Sequence, residues 1–125
     1  MSTGNTLPKT ERIHHKKLID SLFGGGKSRS MTVFPLRLVY MPMEGSDDNQ
    51  MLVSVPKRCL HRANKRNRIK RQVREAYRLN KGLISSKPLA LAFIWLDSKL
   101  WSSNEVTQCM VSLLKRVEEK LHEND

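Results

Sequence analysis

Cysteine is scarce in this sequence. Cys59 and Cys109 are the only two, fifty positions apart, with no CxxC pair and no histidine pair beside them. That spacing excludes a zinc-finger framework, and free thiols in a reducing cytoplasm are expected in place of a disulfide. His14, His15, His61 and His122 share no metal-ligand spacing, so no protein-held metal is expected. Long apolar runs are missing as well. The longest, LALAFIWL at 89–96, falls far short of the roughly 20 residues that span a bilayer, and no membrane partner is expected. The opening MSTGNTLPKTER is polar throughout, so no export signal is expected and the chain is placed in the cytoplasm. The last scarcity is local: from Lys57 to Lys81 there is a single acid, Glu75.

What fills that span is positive charge. Eleven basic residues fall within it: Lys57, Arg58, Arg62, Lys65, Arg66, Arg68, Lys70, Arg71, Arg74, Arg78 and Lys81. One fifth of the chain therefore carries +10 of the net +11, while the other 100 residues hold 12 basic and 11 acidic side chains. A sequence pI near 10.1 calls for a polyanionic partner, either nucleic acid or an anionic membrane surface. The length of 125 residues, 38% apolar and 28% charged, suits one domain with its own core. Residues 1–10 read as a flexible tail and 11–125 as a single α/β sandwich domain.

Along the chain, Ile13, Leu18, Ile19, Leu22 and Phe23 give a short helix within 11–23, ended by Gly24, Gly25 and Gly26. A short strand is expected in 27–32. VFPLRLVYM alternates, with Leu36, Leu38 and Tyr40 on one face, and reads as a strand with Pro35 near its start. EGSDDNQ at 44–50 is a turn cluster, and MLVSVP at 51–56 a second strand, so 34–57 is expected to be an antiparallel pair. Gly82 and Pro88 bracket a loop, and LALAFIWL reads as a central strand buried on both faces. From Asn104 to His122 the apolar residues recur at helical spacing, with Ser102, Ser103 or Asn104 as N-cap. The expected class is α+β, a mixed α/β sandwich in the order αβββαβα with helices packed on a four-stranded sheet.

The stretch KRNRIKRQVREAYR, 65–78, becomes informative on a helical wheel. Ile69, Val73, Ala76 and Tyr77 form one apolar stripe. Asn67, Lys70, Arg71, Arg74, Arg78 and Lys81 fall within about 100° on the side away from it. Such a helix docks through one face and presents a cationic face outward. With Glu75 as its only internal counter-charge, the face repels itself until a polyanion relieves it. Arginine outnumbers lysine, which suits forked phosphate contacts. The apolar side lacks the Trp, Phe or Leu of a membrane-surface helix. A strand precedes the helix, so the helix-turn-helix mode of DNA reading is excluded. A strand layer beside a cationic helix suits single-stranded or folded RNA.

Two other motifs lead nowhere. SLFGGGKS at 21–28 approaches the phosphate loop GxxxxGK[ST], but Ser21 stands where its first glycine belongs and VFP follows in place of a helix. Asp20, Asp47, Asp48 and Asp97 could in principle hold Mg²⁺, yet no paired-carboxylate motif or Ser/His/Asp arrangement accompanies them. The chain alone is not expected to be catalytic.

The basic segment resembles the signature of the bacterial ribonuclease P protein component: Arg66-Asn67-Arg68, then Ile69-Lys70-Arg71, then Arg74-Glu75. SVPKR at 54–58 resembles that family's strand-ending Ser-Val-x-Lys-Lys segment. Phe23, Gly26 and Tyr40 extend the likeness, and the matches run from about 12 to 121. The resemblance implies a subunit that binds a large catalytic RNA and the 5′ leader of precursor tRNA. The RNA would carry the chemistry and, with the substrate, hold most of the Mg²⁺. No organic cofactor and no protein partner are implied. It implies RNA-binding positions at Lys57, Arg58, Lys65, Arg66, Asn67, Arg68, Lys70, Arg71, Arg74 and Arg78. Phe23, Tyr40 and Lys57 are implied as leader-cleft positions, and core packing is the other reading of the two aromatics. A left-handed crossover through the basic helix is likewise implied by the resemblance alone, because topology rules favour the right-handed form. Ile19 stands where the family usually has an aromatic, and Arg58 replaces the second paired lysine. The alternative is a ribosomal or ribosome-associated RNA-binding protein.

Overall fold

The computed structural model describes residues 28–42, 49–84 and 88–123. Within them lie β1 (Arg29–Val33), β2 (Leu36–Pro42), β3 (Gln50–Ser54), α1 (Ala63–Asn80), β4 (Leu89–Trp95) and α2 (Ser103–Glu123), with a 3-10 turn at Lys81–Leu83 after α1. The helix expected in 11–23, the glycines after it, and most of the 44–50 turn cluster lie outside the described residues. The described order is thus βββαβα.

The sheet runs β1-β2-β4-β3. β1 pairs antiparallel with β2, β2 antiparallel with β4, and β3 parallel with β4. Two expectations change here. β2 and β3 are not a hydrogen-bonded pair, because β4 enters between them. LALAFIWL is the most apolar strand of the chain and gains most from an interior position, while polar-ended β3 takes the edge. VFPLRLVYM is not one strand either: Val33 ends β1, Leu36 begins β2, and Phe34 and Pro35 form the turn between them, joined by a cis peptide bond. Proline has no N–H for a ladder, whereas its carbonyl accepts the Leu96 amide at 2.8 Å.

Both helices lie over one sheet face. Leu36, Leu38 and Tyr40 of β2, Met51 and Val53 of β3, and Leu89, Leu91, Phe93 and Trp95 of β4 point to that face. Ile69, Val73, Ala76 and Tyr77 of α1 meet them, each at most 1% exposed, which is the stripe the wheel predicts. Val106, Met110, Leu113, Leu114 and Val117 of α2 complete the core. On the opposite face Val39, Ala90 and Ala92 form a second buried cluster, so the strand layer is not an open platform at its centre.

Local chemistry sets the helix ends. Ser102 caps α2: its Oγ accepts the Glu105 amide at 3.2 Å, and Glu105 Oε1 accepts the Ser102 amide at 3.1 Å. This reciprocal box satisfies two otherwise orphaned donors. At the other sheet edge, Asn49 Oδ1 accepts the Leu89 amide at 2.8 Å and ties the approach to β3 to the start of β4.

Candidate nucleic-acid interface

The cationic helix begins without the usual protections. Arg62 precedes it in an extended conformation and offers no side-chain cap, and no acid lies in the first turn. Lys65 and Arg66 occupy that turn instead, adding positive charge to the positive end of the helix dipole. The Lys65 amide donates to Asn64 Oδ1 at 3.0 Å, yet the missing N-cap and the like charges disfavour this end in isolation and favour an anion placed against it.

What fixes the end is Arg66. Its Nη1 donates to the Leu60 carbonyl at 3.0 Å and to the His61 carbonyl at 2.7 Å. The guanidinium thus folds back over the loop that delivers the chain from β3 to α1. That loop starts with a turn in which the Pro56 carbonyl accepts the Cys59 amide at 3.0 Å. Lys57 and Arg58 are exposed on the turn. Asn67 is exposed and its side chain forms no hydrogen bond among the described residues, so holding the local backbone falls to Arg66.

Along α1, Lys65, Asn67, Arg68, Arg71 and Arg74 are exposed and Lys70 is half-buried. Among the described residues, Lys65, Arg68, Lys70 and Arg71 enter no ion pair. Arg78 is different: it grips Glu75 through both guanidinium and carboxylate forks, with Nε to Oε2 at 3.1 Å. That bond draws the Glu75 carboxyl below its ordinary range and raises Arg78. Glu75→Gln is therefore expected to free Arg78 and tighten RNA binding. The log–log salt dependence should steepen by up to about 0.7–0.9, one phosphate contact. Titrations at several salt concentrations check this, and an unchanged slope would mean that Arg78 faces no phosphate.

Tyr40 lies on the core face of β2 and is 3% exposed. Burial raises its phenol pKa, while the positive charges of Arg29 and Lys120 work the other way. Its side chain packs in the main core cluster. Phe23, its expected companion, lies outside the described residues. Of the two other motifs, only Ser28 and Asp97 fall on described residues. The strand β1 follows Ser28, where a phosphate loop needs a helix. Asp97 accepts the Trp101 indole N–H at 2.7 Å and the Ser98 amide at 2.7 Å, which depress its pKa. No group of three His, Cys, Asp or Glu side chains among the described residues could hold a metal ion. No described helix is long and apolar enough to cross a membrane.

A family model described as Ribonuclease P matches residues 7–118. The chain belongs to the ribonuclease P protein family. A ribonuclease P protein component of Porphyromonas gingivalis is 49% identical over 121 residues, covering 89% of this chain and 85% of the relative. One from Chlorobaculum tepidum is 36% identical over 92 residues, covering 71% of this chain and 58% of the relative. In fold, the chain is similar to the RNase P protein of Thermotoga maritima, with a TM-score of 0.71 at 24% identity over 85% of this chain and 96% of the other. The Staphylococcus aureus RNase P protein gives a TM-score of 0.74 at 20% identity, over 86% and 95%. As a family member the chain is the protein subunit of the ribonuclease P endoribonuclease and serves 5′ maturation of tRNA.

Three features of the interface escaped the sequence reading. Arg66 was legible as a cation but not as the clasp of the 56–62 loop. Gln72, whose Nε2 donates to the Trp101 carbonyl at 3.0 Å and to Ser103 Oγ at 3.1 Å, carries no local signal at all. The pairing of Phe34 with Trp101 joins distant parts of the chain. A polar residue flanking an apolar stripe, as Gln72 does, is the one clue that could have been followed.

Proposed function

We propose that the exposed face of α1 binds crowded phosphates of the catalytic RNA and that the Tyr40 side of the sheet borders the path of the precursor tRNA leader. The observation that carries this reading is an eighteen-residue helix on which Lys65, Arg68, Lys70 and Arg71 enter no ion pair among the described residues. Lys65, Arg68, Lys70, Arg71, Arg74 and Arg78 would lie against RNA, with Asn67 among them. Lys57 and Arg58 would extend the contact along the loop, while Arg66 adds its charge and keeps loop and helix in register. An RNA phosphate at the N-terminus of α1 would supply the anion that the missing cap leaves wanting.

The leader path would be shared by Phe23, Tyr40 and Lys57. The crossover from β3 through α1 to β4 would be left-handed, as the family resemblance implies, with the 11–23 helix completing αβββαβα. Residues 1–10 would form a tail outside the 11–125 domain, and the protein would work in the cytoplasm with no protein partner. The RNA subunit and substrate would hold most of the Mg²⁺, and the chain would contribute positive charge and positioning. By neutralising phosphates it lowers the Mg²⁺ concentration needed for activity, and by touching the leader it favours precursor over product.

Reconstitution tests this. The chain is mixed with ribonuclease P RNA from the same cell and labelled precursor tRNA, at Mg²⁺ too low for the RNA alone. Protein-dependent cleavage at the mature 5′ end is the expected result. Binding without cleavage would leave the basic helix as an RNA site and remove the proposed division of labour.

A further inference from the structure

Two large apolar side chains stand exposed among the described residues, Phe34 at 57% and Leu79 at 62%. Only Phe34 is held in a built setting. Its ring meets Trp101 edge-on, with centroids 6.1 Å apart and planes at 64°. Trp101 in turn stands perpendicular to the fully buried Trp95, at 6.2 Å. The Trp101 indole N–H is bonded to Asp97, and its carbonyl to Gln72 of α1. The Pro35 carbonyl receives the Leu96 amide, so the turn carrying Phe34 is tied to the end of β4. An exposed ring on such a footing loses little freedom when something packs on it.

Cations stand on the elements that meet at this corner. Arg68 lies one helical turn before Gln72 on the same side of α1. Lys57 and Arg58 sit on the turn whose Cys59 thiol reaches the Trp95 carbonyl at 3.7 Å. The acids nearby are already engaged, Asp97 with Trp101 and Ser98 and Glu105 with Ser102. The patch is also the size of one ring, whereas a protein groove would offer several apolar side chains in a row. A planar, anion-linked partner fits this combination of one aromatic face and flanking positive charge.

We propose that Phe34, backed by Trp101, is a stacking platform for an unpaired nucleobase of RNA whose phosphates lie on α1. The inference rests on the reading of α1 given above. It is separate from the Tyr40 position, which pairs with Arg29 at the far end of the β1–β2 ladder from the Val33–Leu36 pair beside the Phe34 turn. Stacking is tolerant of sequence because every base has a π-face, so the platform would add affinity and register more than base preference.

Phe34→Ala and Phe34→Trp are compared with the full-length chain and with Arg68→Ala. The probes are the ribonuclease P RNA alone, and precursor tRNA with and without its leader added to the preformed complex. Phe34→Ala is expected to weaken binding by about 5- to 150-fold with an unchanged salt slope, and Phe34→Trp to retain it. Loss with the RNA alone places the base in the catalytic RNA, and loss only with leader-bearing precursor places it in the leader. The wild-type tryptophan fluorescence, which comes from Trp95 and Trp101 alone, should change on binding. Phe34→Ala binding within about twofold of wild type in every arm would overturn the platform. So would a loss of affinity matched by a flatter salt slope, or a change in self-association with RNA affinity intact. Failure of the α1 reading shows elsewhere, as an unchanged salt slope in Arg68→Ala.

Discussion

Trp95→Ala is expected to lower the unfolding free energy by about 3–5 kcal/mol, the cost of deleting a large aromatic from a packed core. Trp95 is 0% exposed at the end of β4, opposite Leu36, with the Trp101 ring against it. Its backbone carbonyl also receives the Cys59 thiol. The side chain therefore sits where β2, β4, the loop into α1 and the approach to α2 converge. Its indole N–H has no acceptor among the described residues, so the expected loss is one of packing. Trp95→Phe should accordingly retain most of the stability. Urea unfolding followed by helical circular dichroism measures both. A Trp95→Ala chain within about 1 kcal/mol of wild type would show that this corner is not a keystone of the core, since domains of this kind have only about 5–15 kcal/mol in total.

The second large effect is electrostatic. Arg68→Ala and Arg71→Ala, each on an exposed position with no ion pair among the described residues, should weaken RNA binding without disturbing the fold. Removal of one phosphate-binding cation should flatten the slope of log K against log salt by about 0.7–0.9, and the double variant should flatten it by up to about twice that. The unfolding midpoint without RNA should hold or rise slightly, because removing one of several neighbouring like charges relieves repulsion along α1. Slopes unchanged in both single variants would take these two residues out of the interface. A fall in stability without RNA would mean that the charges have partners in the folded chain.

The legible parts of this protein are the local ones. The α1 stripe could be read because Ile69, Val73, Ala76 and Tyr77 repeat at helical spacing, and the cationic face because its charges share the remaining sector. The buried character of 89–95 was legible from its unbroken apolar run, and Ser102 as one of three N-cap candidates, though not its reciprocal bonding with Glu105. The neighbour of β2 was not. β2 and β3 are consecutive and both read as strands, yet choosing β4 as the partner of each depends on which strand gains most from two covered faces. Pro35 marked a break in pairing but not on which side of it the strand would begin. The clasp of Arg66 and the Phe34–Trp101 contact depend on loops meeting in three dimensions, so no sequence window contains them.

The position of β4 between β2 and β3 has a consequence for the order in which the chain can assemble. β1 and β2 form a local hairpin and can pair as soon as they exist, whereas β3 finds its strand partner among the described residues on the far side of α1. Completing the sheet therefore needs two pairings, β2 with β4 and β3 with β4, each of which spans the like-charged helix α1 in sequence. Distant pairings of this kind slow folding, and whatever stabilises the helix also helps complete the sheet. An RNA that binds the folded chain and not the unfolded one shifts that equilibrium by mass action. The partner then acts as a folding template as well as a ligand, and the free subunit should show its weakest amide protection along the β3–β4 ladder.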